Sequence, residues 1–122
     1  MPNLGELERS VMNVLWDAAD PLSVREVQDA LGDRDLAYTT VMTVLDRLGG
    51  KDMVDRERDG RAFRYVARMT RDAATSEVLH AALDASGDRT SALLHFARTV
   101  DPSEAAALRA VLAEIEAADD SA

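Results

Sequence analysis

Apolar residues recur at helical spacing three times in the first fifty positions. Leu4, Leu7, Val11, Val14 and Leu15 predict an amphipathic helix over residues 4–18, with Trp16 near its end. Ser23-Val-Arg-Glu26 spells a capping box, in which the serine caps a backbone N–H and the glutamate reaches back. It opens a second helix that buries Val24, Val27 and Leu31 and stops near Gly32, while Leu22, just ahead, supplies a short strand able to pair with a later hairpin. A third helix spans roughly 38–50, with Val41, Val44, Leu45 and Leu48 on one face, and Gly49-Gly50 ends it. The pattern then shortens to a hairpin over 53–67, beginning MVDRERDGRAFRYV. Its turn is placed between Asp59 and Gly60, because Asp-Gly suits a type I′ turn with positive φ at both central residues.

Beyond the hairpin the spacing is helical again. Residues 71–85 carry Val78, Leu79, Ala82 and Leu83 on one stripe, and the stretch Asp84 to Arg89, with Gly87, reads as a break. Residues 90–99 hold Leu93, Leu94, Phe96 and Ala97. Asp101-Pro-Ser-Glu104 is a second capping box with proline at the first helical position. The last helix carries Leu108, Val111, Leu112 and Ile115 and dissolves into Asp119-Asp-Ser-Ala. The expected fold is mainly α with a small β wing. A winged helix-turn-helix DNA-binding domain occupies 1–69, and a C-terminal helical dimerisation arm occupies 70–122. The arm cannot bury Leu93, Leu94, Phe96, Leu108, Val111, Leu112 and Ile115 on itself. A symmetric homodimer resolves that excess, since the same stripe then meets its own copy.

Charge refines this picture. The net charge of −9 argues at first sight against nucleic acid. Its distribution does not: residues 47–71 hold eight Lys/Arg against four Asp/Glu, a net of +4, whereas residues 72–122 hold three Arg against ten acidic residues, a net of −7. The absence of cysteine removes a disulfide framework, a Cys-ligated metal site and thiol catalysis. No apolar run approaches the ~20 residues that span a membrane and no signal peptide opens the chain, so a cytoplasmic protein with no membrane insertion is expected.

The candidate site lies on the third helix and the hairpin. Thr39, Thr40 and Thr43 fall opposite the Val41/Val44/Leu48 stripe, where threonine can hydrogen-bond base edges or phosphates and place its methyl against thymine; an ordinary solvated helix face is the plainer alternative. Met42 lies beside them, and Arg47 is expected on phosphate, with an i, i+4 pairing within the helix as the alternative. Tyr38 stands between a phosphate hydrogen bond and packing. Arg56, Arg58, Arg61 and Arg64 crowd the hairpin tip. Alternation puts Arg56 and Arg58 opposite Glu57, which favours a basic face over a solvated one paired with Asp55, Glu57 and Asp59. Phe63 and Tyr65 are expected in the core. His80 and His95 have no ligand-spaced partner, so no metal or other cofactor is expected. Nucleophile elbow, phosphate loop and His-Glu metal motif are all missing, which excludes the commoner enzyme classes.

The segments LGELERSVMNVLW at 4–16, AYTTVMTVLDRL at 37–48, RERDGRAFRY at 56–65 and LLHFAR at 93–98 together resemble the penicillinase repressor (BlaI/MecI/CopY) family over nearly the whole chain. The resemblance implies a dimeric winged-helix repressor of β-lactamase-type genes on a palindromic operator. It also implies induction by proteolysis, triggered when a membrane sensor detects β-lactam. Two departures stand out. Copper-responsive members carry paired cysteine motifs, absent here. Staphylococcal members are cut between asparagine and phenylalanine, and the matching positions are His95 and Phe96; those members also have a basic residue where this chain has Met42. The expectation is a DNA-binding repressor that acts by blocking polymerase. A winged-helix protein-interaction module without specific DNA binding is the alternative.

Overall fold

The computed structural model describes residues 4–32 and 35–121. Its elements, in order, are α1 (Glu6–Asp17), β1 (Leu22–Ser23), α2 (Val24–Ala30), α3 (Tyr38–Gly50), β2 (Val54–Asp59), β3 (Ala62–Ala67), α4 (Arg71–Ala85), α5 (Arg89–Ala97) and α6 (Pro102–Ser121). The chain clusters into two compact units, Met1–Val78 and Leu79–Ala122.

Local signals place the helix starts. Ser23 Oγ accepts from Glu26 N–H at 3.1 Å and Glu26 Oε1 accepts from Ser23 N–H at 3.0 Å, so α2 begins at the expected capping box. At α6 the same exchange joins Asp101 and Glu104, with Glu104 N–H donating to Asp101 Oδ1 at 2.9 Å and Asp101 N–H to Glu104 Oε1 at 3.2 Å. The Glu104 N–H and, after it, the Ser103 hydroxyl, both donating to the Asp101 carboxyl, hold it below the usual carboxylate range. The core of the first unit is formed by Val11, Met12 and Leu15 of α1, Val24 and Val27 of α2, and Val41, Val44, Leu45 and Leu48 of α3, sealed by Met53, Val54, Tyr65 and Ala74. Trp16 Nε1 donates to Met69 O at 2.9 Å, fastening α1 to the segment after the hairpin.

The three strands form an antiparallel sheet in the order β1-β3-β2, with Leu22 opposite Tyr65 as the short first strand requires. The hairpin turn differs from the sequence expectation. Asp59 pairs with Ala62, so the loop residues are Gly60 and Arg61, one position later than Asp59-Gly60. Only Gly60 has positive φ, at +65°, which is the type II′ pattern with glycine first. The reason lies in side-chain pairing. A turn at Asp59-Gly60 would set Arg58 directly opposite Arg61, a like-charge pair, whereas the observed register sets Arg58 opposite Phe63.

Helix α3 runs Tyr38–Gly50, so Gly49-Gly50 ends it as expected, and the left-handed residue that then releases the chain is Asp52, φ +59°. One helix end differs. Asp119, Asp120 and Ser121 continue α6 where a frayed end was expected; Ala122 lies outside the described residues. In the second unit the apolar stripe is open. Leu93, Leu94, Phe96, Leu108, Val111, Leu112 and Ile115 are each between 45% and 54% exposed in the single chain.

Candidate nucleic-acid interface

Helix α3 has two faces of opposite character. Val41, Leu45 and Leu48 are fully buried, while Tyr38, Thr39, Thr40, Met42, Thr43 and Arg47 are exposed. The i, i+3, i+4 spacing of the apolar residues therefore anchors the helix and turns the threonines out. Thr43 Oγ1 donates to Thr39 O at 2.9 Å, which spends the hydroxyl hydrogen inside the helix and leaves the oxygen outward as an acceptor. Arg47 occupies the exposed last turn. Lys51, just beyond, is paired with Glu8 of α1 at 2.8 Å. That bond holds the Glu8 carboxyl below the usual range, with the Gly5 N–H adding to the effect.

The register divides the hairpin arginines between two faces. Arg56 lies opposite Tyr65 and Arg58 opposite Phe63, and both guanidiniums stack on the Phe63 ring, 4.2 Å and 5.9 Å from its centre. Arg58 Nε also donates to Gly60 O at 3.2 Å, tying it to the turn. Arg61 is exposed at the tip. Arg64 is placed differently: it lies opposite Glu57 on the other face and forms ion pairs with Glu26 and Asp59. Tyr65 is buried and Phe63 half-buried, as expected for core residues, and burial raises the Tyr65 hydroxyl above its ordinary pKa.

Sequence reasoning passed over Arg25. This exposed residue of α2 lies over the Tyr38 ring, 5.9 Å from its centre, and adds a cation beside the N-terminal end of α3. Its position one residue after Val24, on the polar side of a capped helix, was the available signal. The His95–Phe96 bond falls near the end of α5, where Thr99 N–H donates to Phe96 O at 2.9 Å. The ring of His80 is hydrogen-bonded by Arg89, away from His95 in sequence and in element. Among the described residues, no three His, Cys, Asp or Glu side chains are grouped to hold a metal ion, and no helix is long and apolar enough to cross a membrane.

The sequence profile of the penicillinase repressor family matches residues 4–114. The chain belongs to that family. Transcriptional regulator BlaI of Mycobacterium tuberculosis, from strains CDC 1551 / Oshkosh and ATCC 25618 / H37Rv, is 49% identical over 121 residues, covering 96% of this chain and 88% of the relative. MepR, a transcription regulator of the Staphylococcus aureus multidrug efflux pump MepA, has a TM-score of 0.51 at 15% identity, with 95% of this chain and 80% of that one covered; this likeness concerns the fold alone. The monomeric form of Bacillus licheniformis BlaI, in complex with the blaP half-operator, has a TM-score of 0.49 at 25% identity over 58% of this chain and 87% of that one. This penicillinase repressor family member is thus a BlaI-like winged-helix transcriptional regulator, and its named relatives are regulators rather than enzymes.

Proposed function

We propose that the chain represses β-lactamase-type genes as a homodimer on a palindromic operator. The observation that carries this reading is the outward face of α3, rich in threonine and backed by a sealed core, in the same unit as an arginine-bearing hairpin. In this reading Thr39, Thr40, Met42 and Thr43 enter the major groove, with the Thr43 oxygen accepting from an exocyclic amino group of adenine or cytosine. Tyr38, Arg47, Arg56, Arg58 and Arg61 hold the phosphates. The α5–α6 stripe meets its copy in a second chain, which sets two recognition helices on half-sites one turn apart.

Derepression follows from cutting the arm. A membrane sensor and protease system answering β-lactam would break the His95–Phe96 bond and separate α6 from the DNA-binding unit. Each freed unit then holds one half-site weakly. The bond is inside a helix, so local opening precedes cleavage.

A salt titration with random duplex tests DNA binding directly, because neutralised phosphates produce a steep log–log dependence. The Arg58→Ala/Arg61→Ala double variant should flatten that slope by about one unit per lost contact per subunit. A wild-type protein that binds duplex without a steep slope would point to the protein-interaction alternative. Mass spectrometry of the chain from β-lactam-treated cells tests the rest: cleavage after His95 is expected, and an intact chain during induction removes the proteolytic step.

A further inference from the structure

We propose that Arg64 is a positioning residue, which locks the wing to the start of α2 and does not itself contact DNA. The inference rests on the reading above, in which the wing grips the phosphate backbone. Arg64 Nε donates to Asp59 Oδ2 at 2.7 Å, and its Nη1 donates to Glu26 Oε1 at 2.7 Å and to Pro21 O at 3.3 Å. Asp59 ends β2, Pro21 precedes β1, and Glu26 stands in the first turn of α2. One planar fork of donors therefore joins the hairpin tip to the helix and to the loop before it, an arrangement that suits guanidinium and not ammonium.

The anchor point is itself held. The same Glu26 Oε1 accepts from Ser23 N–H at 3.0 Å, so the carboxylate belongs to the cap of α2 and does not swing with the wing. The Ser23 bonds, reinforced by Arg64, keep Glu26 below the usual carboxylate range, and Asp59 and Glu26 together raise the Arg64 pKa. A phosphate approaching Arg64 meets two carboxylates already in hydrogen-bond contact with it, and like-charge repulsion opposes its entry. Arg58 and Arg61 have no such carboxylate bonds among the described contacts, and they sit on the ribbon that Arg64 fixes. The link thus orders the hairpin before DNA arrives and removes that cost from binding.

Glu26→Gln in the full chain gives opposite signs for the two roles. Glutamine still completes the capping box, so α2 keeps its start. If Arg64 contacts phosphate, the change frees it and removes an anion, and duplex binding tightens. The positioning role predicts binding weaker by up to about fivefold at an unchanged salt slope, because the slope counts phosphates neutralised in the complex. Arg64→Lys should behave the same way, since it retains the charge but loses the fork; a phosphate contact would survive it. Thermal unfolding midpoints close to that of the parent confirm that the variants are folded. Tighter binding by Glu26→Gln, or a slope flattened by about one unit per subunit in Arg64→Ala, would overturn the assignment. Failure of the underlying reading is separately visible, as a shallow slope in the unsubstituted protein.

Discussion

Residues 1–78 and 79–122 are both largely helical and both carry apolar stripes, yet they dispose of them in different ways. In the first unit, α1, α2, α3 and the hairpin close over thirteen hydrophobic residues, none more than 7% exposed. In the second, the seven large apolar side chains of α5 and α6 stay about half exposed, and among the described residues none of them is buried. Helical periodicity marks a face that needs covering, and it is silent on what covers it. Three crossing helices and a sheet can enclose a volume. The nine residues of α5 and the twenty of α6 leave their own stripes open, which is the kind of apolar face that a partner surface commonly covers.

The strongest way to break this contrast is Leu112→Asp. In the proposed homodimer a charge placed in this stripe should separate the subunits, and operator affinity should fall about a hundredfold or more as the two half-sites decouple. The first unit should keep its cooperative unfolding transition. A dimer of this variant, stable in the ultracentrifuge, would show that the α6 stripe is not the interface. Leu45→Ala probes the other side of the comparison. Leu45 is fully buried in one chain, so its truncation should cost about 2–5 kcal/mol at every protein concentration. Leu112→Ala should instead lower the unfolding midpoint by an amount that depends on concentration, as losses at a subunit contact do. Equal concentration dependence for both would erase the distinction between the two units.

Thr43→Val sharpens the role of the first unit. The variant keeps shape and removes the outward acceptor, so operator binding should weaken by about 1–3 kcal/mol while random duplex is little changed. An equal loss on both DNAs would move Thr43 from the bases to the backbone. The smallest effect belongs to the Glu8–Lys51 pair, which joins α1 to the end of α3. Its folded pKa lies below the ordinary 4.5, so its contribution is present above pH 4.5 and is lost as pH falls through the folded value. That contribution is under about 1 kcal/mol, since both side chains keep some exposure. Acid unfolding of Glu8→Gln should lack this component, and identical pH profiles for parent and variant would remove it.

Much of the first unit was legible because its signals are local. The Ser23–Glu26 box lies within four residues, the Val41–Leu48 stripe within eight, and each depends only on backbone helicity. Leu22 as a short strand was also readable, since an apolar residue ahead of a capped helix has few other uses. The hairpin was readable but its turn was not: Asp59-Gly60 and Gly60-Arg61 both put glycine where φ is positive. Cross-strand contacts made the choice, with Arg58 set on Phe63 and not against Arg61. The candidate site was legible to the same depth. The outward threonines of α3 follow from counting along one helix, whereas Arg64 looks like its neighbours until its partners are known.

By itself, the sequence determined the helices and their caps, the apolar faces, the basic hairpin and the family. All of these rest on interactions between residues a few positions apart or on motifs in fixed order. Tertiary structure decided the register of the wing, which arginines face outward, and which apolar faces are closed. Those outcomes depend on contacts between distant residues, such as Arg64 with Glu26 and Pro21, or Arg25 with Tyr38. Spacing along the chain carries no record of such pairs, because the free energy that selects them arises only when the elements are packed together.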